Sequence, residues 1–170
     1  AVVNLIMTGQ RGQGGSTITM QLARNFYLSS EKTYLRKLNE ILLALKIEHE
    51  LTKQKILELY LNKIYLGNRS YGVAAAAQIY YGLELDELSL AQIAMIAGLP
   101  KAPSTYNPIV NPDRATIRRN YVLSRMKHLD FISEAQFKEH SSAVVTAKRH
   151  RSTIGVYAPY VNEMARAEIV

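Results

Sequence analysis

Residues 31–51 read EKTYLRKLNEILLALKIEHEL, and this stretch decides the fold class. At about 100° per residue, Leu35, Leu38, Leu42 and Leu45 line up as one apolar seam, the pattern of a helix that packs on a core. Arg36 and Glu40 lie on another side, shared with Leu43, Ala44 and Ile47. A carboxylate in an apolar sector is costly unless paired. Arg36 at i−4 and Lys37 at i−3 are both within reach of it on a helix. The seam, the ion triplet and Ser29-Ser30 as a cap predict a helix from Glu31 to Leu51.

Most of the chain outside this stretch is helical by the same criteria. Ser16 or Thr17 opens a helix over 17–27 after a glycine-rich break at 8–15. Thr52 caps a third, running to about Ile64 and stopping before Gly67-Asn68. Gly72 and Gly82 bracket a short alanine-rich helix. Ser89 with Gln92, and Ser133 with Gln136, are capping-box patterns. Pro100, Pro103 and Pro108 make 99–108 a loop, since proline is excluded from helix interiors. Asn111-Pro112 supplies an N-cap and an N1 proline for a helix reaching about Leu129. Residues 143–146 (Ala-Val-Val-Thr) read as a short strand, and Pro159 opens a last helix. The fold class is all-α.

The chain has 170 residues, 48% of them hydrophobic and 21% charged. That is one domain by length, with enough chain to bury a core unaided by disulfides or metals. It has no Cys, which excludes a disulfide scaffold, a cysteine nucleophile and a thiolate zinc site. Its four His have no metal-ligand spacing. The net charge is +7, and such a balance favours an anionic partner: phosphate, nucleic acid or lipid headgroups. No run of eighteen apolar residues occurs. The apolar opening Val2-Val3-Asn4-Leu5-Ile6-Met7 reads as the middle of a helix, as expected of a piece of something larger, and with Arg11 beside it as an interfacial element.

Three segments carry chemistry. On the helix over 17–27, Thr17, Gln21, Arg24 and Asn25 form a narrow polar stripe in a mostly apolar surface. It is either a solvated edge or a cleft wall that holds an anion through Arg24. On the next helix, Glu40 with Arg36 and Lys37 is either a structural ion pair or a carboxylate kept ionised beside a site where charge develops. After Pro112, Arg114, Arg118, Arg119 and Arg125 form either a solvated basic face or a phosphate clamp, with Lys101 in the loop before them. The glycine-rich break is not a GxxxxGK[ST] phosphate loop, and no GxSxG elbow occurs.

These segments together resemble a known family. Residues 14–25, GGSTITMQLARN, are similar to the second signature motif of the peptidoglycan glycosyltransferases. These are the glycan-polymerising domains of class A penicillin-binding proteins and of monofunctional transglycosylases. Residues 36–40, RKLNE, resemble the third motif; residues 53–62, KQKILELYLN, the fourth; residues 118–123, RRNYVL, the fifth. The resemblance covers about 1–140, a glycosyltransferase domain without its first motif. Residues 141–170 resemble the linker toward a transpeptidase domain, and residues 98–104, GLPKAPS, point to the Gram-negative type 1a kind.

The resemblance implies a lysozyme-like α fold and polymerisation of lipid II with inversion and release of undecaprenyl pyrophosphate. By motif position, Arg24, Lys32 and Arg118 face the donor pyrophosphate, and Ser16 and Gln21 contact the same region. Arg36 and Lys37 join them, and Tyr80 and Lys101 line the sugar cleft. Glu40 takes the place of the family's second glutamate, the catalytic carboxylate expected to position or stabilise these groups. A divalent cation, magnesium or manganese, is the one cofactor implied, at the pyrophosphate, with no protein metal site. The implied partners are lipid II, the growing glycan strand, the outer face of the cytoplasmic membrane and a covalent transpeptidase domain, with no nucleic acid. The implied location is the periplasmic face of the inner membrane, through an upstream anchor.

Two departures stand out. Met20 occupies a place where the family usually has glutamine. The first motif, ExxxFxxHxG with the general-base glutamate, is not among these residues, so the piece alone is expected to be inactive. Three rival readings separate on simple grounds. A nucleic-acid binder needs aromatic interleaving in the basic helix after Pro112, which is lacking. A lysozyme-like hydrolase needs a second carboxylate opposite Glu40. A purely structural or inhibitor-binding fragment, inactive by truncation, is a reading of this piece and not of its parent.

Overall fold

The structure, a computed structural model, describes residues 16–26 and 33–150. These residues form seven α-helices and contain no sheet. In chain order they are α1 (Ile18–Phe26), α2 (Tyr34–Glu50), α3 (Lys53–Lys63), α4 (Val73–Tyr81), α5 (Leu90–Gly98), α6 (Pro112–His128) and α7 (Glu134–Ser142). Two 3₁₀ turns, Leu85–Glu87 and Leu99–Lys101, lie before and after α5. The second falls inside the stretch expected to be a plain loop.

The helix ends follow the sequence closely. Thr52 accepts from the Lys55 N–H at 3.2 Å. Both expected capping boxes are complete: Ser89 with Gln92 and Ser133 with Gln136. Helix α2 starts later than expected, because Thr33 is the residue whose hydroxyl accepts from the Arg36 N–H. Asn111 holds the N-cap position of α6 without capping it. Its side-chain amide donates to the Ser104 carbonyl at 3.4 Å, and Pro112 at N1 carries no N–H needing a partner. The expected strand at 143–146 is extended chain without a sheet partner among the described residues. The expected elements at 2–7 and after Pro159 lie outside the described residues.

Helices α1, α2 and α3 pack on one another, and α5, α6 and α7 form a second group. Helices α3 and α4 join the two. The main core runs through that junction: Tyr60, Ile64, Leu66, Ala76, Ala77, Tyr80, Ile96 and Leu99 are buried together. A smaller core of Ala94, Leu123 and Ile132 holds the second group.

The seam predicted to face the core does not. Leu35, Leu38, Leu42 and Leu45 are 52–67% exposed, while Glu40 and Ala44 are the buried positions of α2. Apolar residues surround most of this helix, so periodicity alone could not choose its buried side. Glu40 is on the side that packs on α1, where Arg24 joins Arg36 and Lys37 on its carboxylate.

The link from α3 to α4 is a tight reversal. The Gly72 N–H donates to the Ile64 carbonyl at 2.8 Å, and the Tyr65 and Tyr71 rings lie 5.2 Å apart. Gly72 has φ +86°, and a Cβ there would stand 2.7 Å from the Asn62 carbonyl oxygen. Both the left-handed backbone and the backbone obstacle exclude a side chain. Gly72→Ala should therefore cost about 2 kcal/mol or more, read as a lower urea midpoint with unchanged slope. An unchanged midpoint would show that the reversal has another low-energy form.

Candidate active site

Glu40 is 1% exposed and carries three cations. Arg24 of α1 donates through Nε to Oε1 at 3.4 Å, and Arg36, one turn back on α2, donates to the same oxygen. Lys37 donates to Oε2 at 2.9 Å. The expected i−4 and i−3 pairs are present, and the third partner comes from across the α1–α2 packing. The group sums to three positive charges and one negative. The two oxygens of Glu40 are thus taken up by charged donors. They leave an excess of positive charge beside a surface from which Arg24, 56% exposed, reaches solvent.

The N-terminus of α1 joins this group. Lys37 Nζ also donates to the Ser16 hydroxyl at 3.2 Å, and the Gln21 amide donates to the Ser16 carbonyl at 3.3 Å. Gln21 in turn accepts from the Tyr60 hydroxyl of α3 at 3.4 Å. Tyr60 was not singled out in the sequence. The motif match ILELYLN contains it, but only the packing of α1 on α3 shows what its hydroxyl meets. Lys37 has its pKa lowered, first by burial and then by repulsion from Arg24 and Arg36.

Ser16, Gln21, Arg24, Arg36, Lys37 and Glu40 are thus one cluster, while Lys101 and Arg118 stand apart from it. Arg118 donates to the Gly98 carbonyl at 3.2 Å and lies over the rings of Tyr121 and Tyr106. Helix α6 makes no contact with α1 or α2 among the described residues. Lys101 is exposed at the end of the Leu99–Lys101 turn. Lys32 lies outside the described residues. Tyr80, expected on the sugar cleft, is fully buried, and its hydroxyl donates to the Leu66 carbonyl at 2.9 Å. It is a core residue, because its ring fills the junction between α3, α4 and α5. Arg119 also leaves the expected basic face; it is buried and turned toward residues 141–143.

The sequence profile of the transglycosylase family matches residues 1–127. The chain belongs to the transglycosylase family. Penicillin-binding protein 1A of Pseudomonas aeruginosa is 56% identical over the whole chain, and that of Escherichia coli 54% identical over 96% of it. The chain spans about a fifth of the length of these relatives, 21% and 19% respectively. The crystal structure of penicillin-binding protein 1A from Haemophilus influenzae matches the fold with a TM-score of 0.57 and 41% identity. That match covers 90% of this chain and 19% of the other. The helical fold described here is therefore a transglycosylase fold, and the Glu40 cluster sits within the matched region. No helix of this transglycosylase domain is long and apolar enough to cross a membrane, among the described residues.

Proposed function

We propose that this chain is the leaving-group part of a protein that polymerises the glycan strands of peptidoglycan from lipid II at the outer face of the cytoplasmic membrane. The observation that carries this reading is the excess of positive charge around buried Glu40. In the reaction, the acceptor's 4-hydroxyl oxygen forms a bond to the anomeric carbon of the growing strand. The bond from that carbon to the pyrophosphate oxygen breaks with inversion, and undecaprenyl pyrophosphate leaves with the electron pair. The hydroxyl proton passes to a general base. The negative charge gathering on the leaving oxygen needs fixed cations, and cations held in place before the reaction act at no reorganisation cost.

Arg24 is the member of the cluster with room to turn from Glu40 to a phosphate. Arg36, 17% exposed, stays with the carboxylate and keeps the cluster assembled. Glu40 is poorly placed as a base, because both of its oxygens are already engaged by three cations. In the family the base is the glutamate of the first motif, which is not among these residues. A transpeptidase domain covalently follows in the whole protein.

A magnesium or manganese ion at the pyrophosphate does not find ligands in this cluster. No group of three or more His, Asp or Glu that could hold a metal occurs among the described residues. The two oxygens of Glu40 face cations. Any divalent ion would be held by the phosphates themselves, and no step here passes through it.

Titration of the chain with inorganic pyrophosphate tests the site, and polymerisation of lipid II by the full-length protein tests the reaction. The chain by itself is expected to bind pyrophosphate and make no glycan; parent-like polymerisation by residues 1–170 would return Glu40 to the role of base. The pH dependence of binding has a definite sign. An anion favours charged Lys37, so binding takes up a proton there. Affinity should fall as pH rises through the lowered pKa of Lys37, beginning below the ordinary lysine range. Lys37→Met should weaken binding about tenfold at neutral pH, given the partial exposure of the ammonium group, and should flatten the alkaline fall. An alkaline fall that persists in Lys37→Met would assign it to another group.

A further inference from the structure

Residues 143–150 leave the end of α7 and run back across the protein. The Lys148 N–H donates to the Tyr80 carbonyl and the His150 N–H to the Ile79 carbonyl, each at 3.0 Å. These acceptors belong to the last turn of α4, where helix carbonyls lack partners within their own helix. Gln92 of α5 donates to the Thr146 hydroxyl at 3.4 Å. Ala147 packs on the main core, and exposure alternates along the segment as on an edge strand. Gly82 leaves room for the end of the segment, since a Cβ there would stand 2.5 Å from the His150 ring.

Arg119 holds the other end. It is 2% exposed, and no carboxylate pairs with it among the described residues. Nη1 donates to the Ala143 carbonyl at 2.7 Å and Nη2 to the Ser141 carbonyl at 2.8 Å. Nε donates to Asn120 Oδ1 at 3.0 Å, and the Asn120 amide also donates to the Ser141 carbonyl. The planar fork of the guanidinium thus spans the point where helix α7 ends and extended chain begins. The negative end of α7 offsets part of the buried charge.

We propose that Arg119 is a positioning residue: with Asn120 it latches residues 143–150 onto the helical domain as a strap. The strap then fixes the position of its end at His150 on the domain. Held at both ends, the strap would orient any segment joined to it instead of tethering it loosely. The strap is part of the body that carries the Glu40 cluster. It is independent of whether that cluster binds pyrophosphate, and its test does not use activity.

Hydrogen exchange on the full-length protein, resolved to single amides, provides the first measurement. In the wild type the Lys148 and His150 amides should exchange slowly. Arg119→Met removes the fork, and Arg119→Lys keeps the charge without the two-pronged geometry. Both should speed these two amides about 10–100-fold while the amides around Leu123 in α6 stay protected. Residues 1–170 contain no cysteine, so spin labels at exposed Ile117→Cys and Val144→Cys in this chain give a second reading. Their distance distribution should be narrow in the wild type and broad in both Arg119 variants. Fast exchange at Lys148 and His150 in the wild type would overturn the proposal. So would equal loss of protection in α6, which would make Arg119 a support of the core only, or wild-type behaviour in Arg119→Lys, which would dispense with the fork.

Discussion

Arg24→Ala should lower glycan polymerisation by the full-length protein about 10²–10³-fold. Donors fixed at the place where negative charge develops typically contribute on this scale, and their loss falls mainly on turnover. Arg24 is the cation of the cluster with most of its side chain in solvent and one long contact to Glu40. It can turn to a phosphate without leaving a buried carboxylate alone, because Arg36 and Lys37 remain on it. Stability should accordingly change little, by less than about 1 kcal/mol, as for other exposed ion pairs. Arg24→Lys should recover part of the loss, since it restores a charge but not the planar donor pair. Arg118→Ala belongs in the same experiment. Full activity there would remove Arg118 from the reaction and leave it as the side chain that braces Gly98 and Tyr121. Unchanged turnover in Arg24→Ala would take the leaving group away from this cluster.

Removing Glu40 should act in the opposite way, on the fold first. Glu40→Ala leaves Arg36, largely buried, beside Lys37 and Arg24 with no anion between them. Breaking a buried ion group from one side typically costs about 3–5 kcal/mol; the exposure of Arg24 and Lys37 places this case near 3 kcal/mol. For a chain of this size that is a fall in Tm of about 6–12 °C. Glu40→Gln keeps the volume and one acceptor but leaves three positive charges uncompensated. Pyrophosphate should therefore stabilise Glu40→Gln more than the wild type, as an anion that binds only the folded state. Equal thermal shifts in the two proteins would show that the anion does not meet this cluster.

The sequence by itself determined most of the helices and the local part of the Glu40 group, Arg36 and Lys37. Caps are local: a hydroxyl at Thr52, Ser89 or Ser133 meets an N–H three residues on, whatever the rest of the chain does. The Arg36–Glu40 and Lys37–Glu40 pairs are local for the same reason, being fixed by helical spacing. The four motifs were legible because they are runs of adjacent residues.

What only the tertiary structure decided are choices between equal local options. Helix α2 offers apolar surface on both sides, so its leucine seam looked like the buried one. The packing of α1 buries Glu40 instead, and that burial is tolerable because Arg24 of α1 joins Arg36 and Lys37 as a third cation. Arg118 and Arg119 are neighbours with the same chemistry, yet one braces Gly98 and the other is buried against residues 141–143. About 100° of helical rotation separates them, and only the packing of α6 between α5 and α7 sets what each direction meets. Tyr80 sits in a short helix bounded by glycines, and nothing adjacent in sequence marks it as core. The Leu66 carbonyl that accepts its hydroxyl is fourteen residues away. Contacts at such separations depend on how whole helices meet, and local spacing carries no record of that.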